Sequence, residues 1–232
     1  MVFRPLAHVV VLALLPLRVP PPAVVLMSTA SGLAAAVELA RGHLVVAALL
    51  IQLKTILDNA DGQLARLSGN VTAFGRYLDS ECDLLVNAAL FAGLGWLTGR
   101  PLVTALAFAG LTAVLSVNFN VERLARGAVA SSDSSVLGRV YALVYGWQDT
   151  LVERFVNWRS RGVAAYHDTL SVTVLANLGM STQLAAFGVC VAVGHPLAFA
   201  VIVAAEVSLV AALFVRRESF VKFEREVLLE HS

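Results

Sequence analysis

Four carboxylates, Asp58, Asp61, Asp79 and Asp83, fall within the stretch DNADGQLARLSGNVTAFGRYLDSECD, in a chain that is otherwise mostly apolar. On helices, Asp58 and Asp61 stand three apart on one face, and Asp79 and Asp83 stand four apart on another. Ser68, Gly69 and Asn70 between the pairs favour a turn over continued helix, so the stretch reads as a helical hairpin. Asp61 lies nine residues before Asn70 and Asp79 nine after it, and an antiparallel hairpin brings the two pairs to similar height. Four like charges that close repel unless some are protonated or cations sit between them. All-oxygen donors favour hard ions, Mg²⁺ or Mn²⁺, and two such ions roughly 3.5–4 Å apart would clamp a displacement at phosphorus. The bland alternative is a solvated polar turn between membrane helices; ionisable residues inside spans are rare and usually functional, which favours chemistry.

The elements that must position these acids are membrane helices. With 58% apolar and 14% charged residues and a mean hydropathy of +0.78, the 232 residues read as one polytopic membrane domain, 1–232. A net charge of +1 gives no sign of nucleic-acid binding. Cys82 and Cys190 have neither disulfide-framework nor zinc spacing and read as packing residues. Residues 1–18 hold an apolar run too short to span, ended by prolines, and read as an amphipathic juxtamembrane helix with Arg4 and Arg18 at the head groups. The expected architecture is all-α with six transmembrane helices: 23–40, 44 through 57 and into the motif, 83–97, 101–119, 170–193 and 196–215. From Leu44 to Asp61 the rise is roughly 25 Å, which sets the first acid pair near the far interface. Arg4, Arg18, Arg66, Arg76 and the basic residues of the 120–168 connection and the tail fall on one side, with only Arg41 and Arg100 on the other. The crowded side is expected to be cytoplasmic, in a bacterial-type plasma membrane, and the acids open onto it. Lys54 lies within the second span, toward the same side.

The order Asp58-x-x-Asp61-Gly62-x-x-Ala65-Arg66, eight residues, then Gly75-x-x-x-Asp79-x-x-x-Asp83 resembles the complete signature of the CDP-alcohol phosphotransferases. A long gapped match of this kind is far more specific than a lone glycine-rich loop. The resemblance implies a membrane enzyme of phospholipid synthesis. In such enzymes an acceptor hydroxyl attacks the phosphorus of a CDP-activated donor, here CDP-diacylglycerol first, and CMP leaves. It also implies two Mg²⁺ or Mn²⁺ ions held by Asp58, Asp61, Asp79 and Asp83, with Asp83 as the base, and CDP contacts at Gly62, Ala65, Arg66 and Gly75. Relatives are often homodimers. Read from the residues alone, Gly62 and Ala65 are small and leave room for a ligand against the helix or for a neighbouring helix, and Arg66 suits a phosphate or a cytoplasmic anchor.

The acceptor is left open. Leu84 follows the last acid where many relatives carry a basic residue; Asp79-Ser80 resembles the inositol-phosphate branch and Glu81-Cys82-Asp83 the choline and ethanolamine branch. The 120–168 connection is expected on the cytoplasmic face, with a membrane-surface helix over 141–161. Arg123, Arg126 and Arg139 are the candidates for holding an anionic acceptor, against the plainer reading that they mark topology. Two other classes compete. An intramembrane prenyltransferase needs a second aspartate-rich helix pair, which nothing after Asp83 supplies; a cation channel or transporter places its acids near the midplane rather than at one interface.

Overall fold

The computed structural model of the chain describes residues 3–125, 173–175 and 177–213. Among the described residues there is helix and no strand. The helices are α1 (Phe3–Leu14), α2 (Pro21–Ala40), α3 (Leu44–Leu67), α4 (Ala73–Thr98), α5 (Pro101–Ala125), α6 (Met180–Ala192) and α7 (Ala198–Leu213).

Local sequence explains the boundaries. Pro20 caps α2, and the prolines that follow occupy its first turn, where a missing N–H costs nothing. Between α3 and α4, Gly69 takes φ +69°, a conformation that side chains disfavour, and turns the chain. Thr72 then caps α4, its Oγ1 accepting from the Gly75 N–H at 3.0 Å. Gly99 ends α4 at φ +64°, and Pro101 opens α5.

By their contacts the helices divide into two compact units, one comprising Met1–Ala109 with Met180–Val201 and the other Gly110–Gly179 with Ile202–Ser232. Within the first, α2 packs along both α3 and α4, and α3 also packs on α1 and α6. The hairpin helices α3 and α4 pack on α2 far more than on one another. Small residues permit that closeness. A Cβ on Gly93 would stand 2.6 Å from the Ala36 carbonyl oxygen, and Ser31 Oγ donates to the Leu50 carbonyl at 3.0 Å. Farther from the acids, Phe187 stacks on Phe91 at 5.9 Å and sits 4.9 Å from Phe199. In the second unit, Gly110 faces Val203 and Val207, 3.0 and 3.3 Å from where a Cβ would stand.

The segment expected to lie at the membrane surface is a helix, and it packs into the core of the first unit. Ala7 and Val11 of α1 are buried in a cluster with Val24, Leu57, Ala60 and Leu64, so α1 braces the part of α3 that carries the motif. Its other side leaves Val9 65% and Leu12 56% exposed.

Among the described residues, two segments, α2 and Pro101–Phe119 of α5, are both long and apolar enough to cross a membrane, against six expected for the chain. At 24 and 26 residues, α3 and α4 are long enough, about 36 and 39 Å, but carry the acids. The expected continuous span over 170–193 is interrupted: Leu178 and Gly179 bend the chain before α6 begins. Glycine is a poor helix residue, and the Asn177 side chain donates to the Thr173 carbonyl at 2.8 Å just before the break. The helix expected at 141–161 and the charged tail lie outside the described residues.

Candidate active site

Helix α3 presents Asp58 and Asp61, and α4 presents Asp79 and Asp83. Asp58, Asp79 and Asp83 are half-buried, and each offers a carboxylate oxygen within 4.8 Å of the others. Asp61 is buried and accepts from the Gly62 N–H. The structure thus brings Asp58, Asp79 and Asp83 together across the hairpin, with the buried Asp61 one turn along α3 from Asp58. The carboxylates bridge two helices that are otherwise held apart on α2.

Among the described residues, one cation enters the group. Lys54 Nζ donates to Asp58 Oδ1 at 2.8 Å, one turn along α3, and to Asp83 Oδ1 across on α4. One ammonium against four carboxylates leaves the cluster short of positive charge, and oxygen donors this close suit a hard divalent ion. The donor set therefore fits a magnesium or manganese ion.

Around the acids, Asn59 Nδ2 donates to the Thr55 carbonyl at 2.8 Å and to Ser181 Oγ of α6 at 2.9 Å. This fixes the rotation of α3 beside Asp58. Arg66 is exposed, and its guanidinium lies over Gly62, with Nη1 3.4 Å from where a Cβ would stand. Ala65 is half-buried, and its carbonyl accepts from the Asn70 N–H at 3.0 Å in the turn. Gly75 sits over Thr72, whose Oγ1 is 3.2 Å from the position of an added Cβ. Gly62, Ala65 and Arg66 thus line one stretch of α3 beside Asp61, whereas Gly75 serves the start of α4. Arg123 belongs to the last turn of α5, and Arg126 and Arg139 lie outside the described residues.

Lys54, Asn59 and Thr72 carry no role in the motif. Lys54 had a readable signal: it precedes Asp58 by four residues on the same helix face, inside an apolar span.

A family model for CDP-alcohol phosphatidyltransferases matches residues 11–210, including every acid of the cluster. The chain belongs to that family. Among its relatives, the phosphatidylinositol phosphate synthase of Mycobacteroides abscessus is 39% identical over 77 residues, 33% of this chain and 35% of that protein. The enzyme of the same name from Mycobacterium tuberculosis H37Rv is 35% identical over 91 residues, 37% and 42% of the two chains. The bifunctional IPC transferase and DIPP synthase of Thermococcus kodakarensis is 36% identical over 84 residues, 36% and 19%. The aligned stretches span less than half the length of these relatives. Among solved structures, the Mycobacterium tuberculosis phosphatidylinositol phosphate synthase with CDP-DAG bound gives a TM-score of 0.43 at 19% identity, covering 84% of this chain and 91% of that one.

Proposed function

We propose that the chain moves a phosphatidyl group from CDP-diacylglycerol to the hydroxyl of a small acceptor and releases CMP. The observation that carries this reading is the approach of Asp58, Asp79 and Asp83 within 4.8 Å, inside the part of the chain that the family model matches. The acceptor oxygen bonds to the phosphorus bearing the lipid alcohol as the bond from that phosphorus to the CMP oxygen breaks. Asp83 takes the hydroxyl proton, and the leaving CMP carries the electron pair of the broken bond. Asp58, Asp61 and Asp79, with Asp83, would hold two Mg²⁺ or Mn²⁺ ions, which supply the positive charge that the pyrophosphate and the developing leaving group require. Arg66, whose guanidinium lies over the side-chain-free Gly62, would meet the pyrophosphate or ribose of the donor. Ala65, one turn from Asp61, leaves room for the cytidine, and Gly75 keeps the start of α4 close to the same end.

The reading places the protein in the membrane with six spans and the acids at the cytoplasmic face. Support comes from the two long apolar segments and from exposed side chains such as Leu49, Trp96, Leu102 and Val201, which lipid would cover. The basic residues of the connections support the orientation. Pairing into a homodimer rests on the family resemblance. The names of the aligned relatives put inositol 1-phosphate first among acceptors. Arg123, Arg126 and Arg139 are then the candidates for its phosphate.

The test is CMP release by the purified protein in detergent with CDP-diacylglycerol and Mg²⁺, against inositol 1-phosphate, glycerol 3-phosphate, inositol, serine, ethanolamine and choline. Release with one acceptor supports the reading and names the acceptor. No release with any of them, nor with other CDP-alcohols, would remove it.

A further inference from the structure

Lys54 is among the largest fully buried side chains, with 2% of its surface exposed. Its neighbours on the buried face of α3 are Ala47, Ile51 and Leu57. Burying a lysine is costly unless its charge is matched, and a charged group within a span is there for a reason. The site for its stem is built into α2. Gly32 lets α2 approach both Val86 of α4, 2.4 Å from where a Cβ would stand, and the Lys54 stem, 3.3 Å from it at Cγ, and Ser28 Oγ donates to the Lys54 carbonyl at 3.3 Å. At the far end the ammonium engages one oxygen of Asp58 and one of Asp83, two of the acids on which the transferase reading depends.

A carboxylate has two oxygens. Those of Asp58 and Asp83 that face Lys54 are occupied by an internal cation, leaving one oxygen of each for other work. An internal cation at this place also repels a metal ion that approaches the same acids. We propose that Lys54 is a positioning residue: its ammonium turns Asp58 and Asp83 so that each presents one oxygen to the reaction, and it holds the cation affinity of the cluster below what four acids alone would give. The proposal rests on the transferase reading for what the presented oxygens do, but its electrostatic half stands apart from turnover.

The two roles predict changes of opposite sign. Lys54→Met should bind Mn²⁺ at least about tenfold more tightly than wild type, read without nucleotide from the loss of the free Mn²⁺ resonance in electron paramagnetic titration. The same variant should lose about 100-fold in kcat for CMP release, because the carboxylates are no longer aimed, while KM for the CDP-lipid changes less than about threefold. Lys54→Arg keeps the charge and guards against a variant that does not fold. It should keep Mn²⁺ affinity within about threefold of wild type and still lose at least about tenfold in kcat, since a planar guanidinium cannot reproduce the geometry of an ammonium. Weaker Mn²⁺ binding by Lys54→Met, as the loss of a mere structural clamp would cause, overturns the proposal, and so does wild-type kcat in either variant. The Mn²⁺ titration needs no substrate, so it decides for Lys54 even where no acceptor releases CMP, an outcome that would sink the transferase reading instead.

Discussion

The side-chain amide of Asn59 donates to Ser181 Oγ at 2.9 Å, and this bond joins the helix carrying Asp58 to α6, more than a hundred residues along the chain. It is a polar contact between helices, next to the first acid in sequence, and it holds α3 at one rotation. Hydrogen bonds of this kind between membrane helices are worth about 0.6 kcal/mol on average. Asn59→Ala and Ser181→Ala should therefore each lower the thermal stability of the detergent-solubilised protein modestly and to a similar extent. The double variant should be little worse than either single one. Additive losses in this double-mutant cycle would mean that the two side chains are not coupled.

Packing between α2 and α4 makes a second prediction from a pair of glycines on one helix. A Cβ at Gly93 would stand 2.6 Å from a backbone oxygen, that of Ala36, whereas one at Gly95 would stand 2.7 Å from Thr104 Oγ1, a side-chain atom that can turn at the cost of its hydrogen bond to the Pro101 carbonyl. Gly93→Ala forces two helices apart and should cost about 1–3 kcal/mol. Gly95→Ala should cost clearly less. Thermal unfolding of the two variants side by side checks the order, and equal losses would contradict it.

The cap of α4 makes a local prediction. Removing the Thr72 hydroxyl leaves the Gly75 amide without its acceptor, a loss of about 1 kcal/mol. In Thr72→Ala, hydrogen exchange at the Gly75 amide should rise about fivefold, with exchange in the middle of α4 unchanged. Unaltered exchange at Gly75 would show that the cap contributes nothing.

The acids were legible in the sequence because carboxylates are conspicuous in an apolar chain and because helical spacing settles which of them share a face. Ser68, Gly69 and Asn70 marked the turn for the same local reason. What escaped was non-local. Nothing near Asn59 points to Ser181, and the small residues of α2 signal close packing without saying that α2 would be the common partner of α3 and α4. Lys54 was visible as a charge inside a span, but its bond to Asp83 depends on how two helices are held, which spacing along one helix cannot give. The interruption at Leu178 and Gly179 had a local cue, Asn177 beside a glycine, that a hydropathy run across 170–193 averages away.

Metal removal tests the charge argument. Chelation should stop CMP release, and added Mg²⁺ or Mn²⁺ should restore it. Asp79→Asn removes a carboxylate from the cluster without touching the Lys54 pairs, and should raise the Mg²⁺ concentration giving half-maximal rate at least about tenfold. Release that persists in excess chelator would mean that the acids do not act through a bound cation.

The central claim is that this cluster carries out phosphatidyl transfer with Asp83 taking the proton, and Asp83→Asn addresses it most directly. Single-turnover CMP release from CDP-diacylglycerol, with saturating acceptor and Mg²⁺, should fall by about 10²–10⁴-fold, while the variant still binds Mn²⁺ and the CDP-lipid. Release within about tenfold of wild type would contradict the account and take the proton-accepting role away from Asp83.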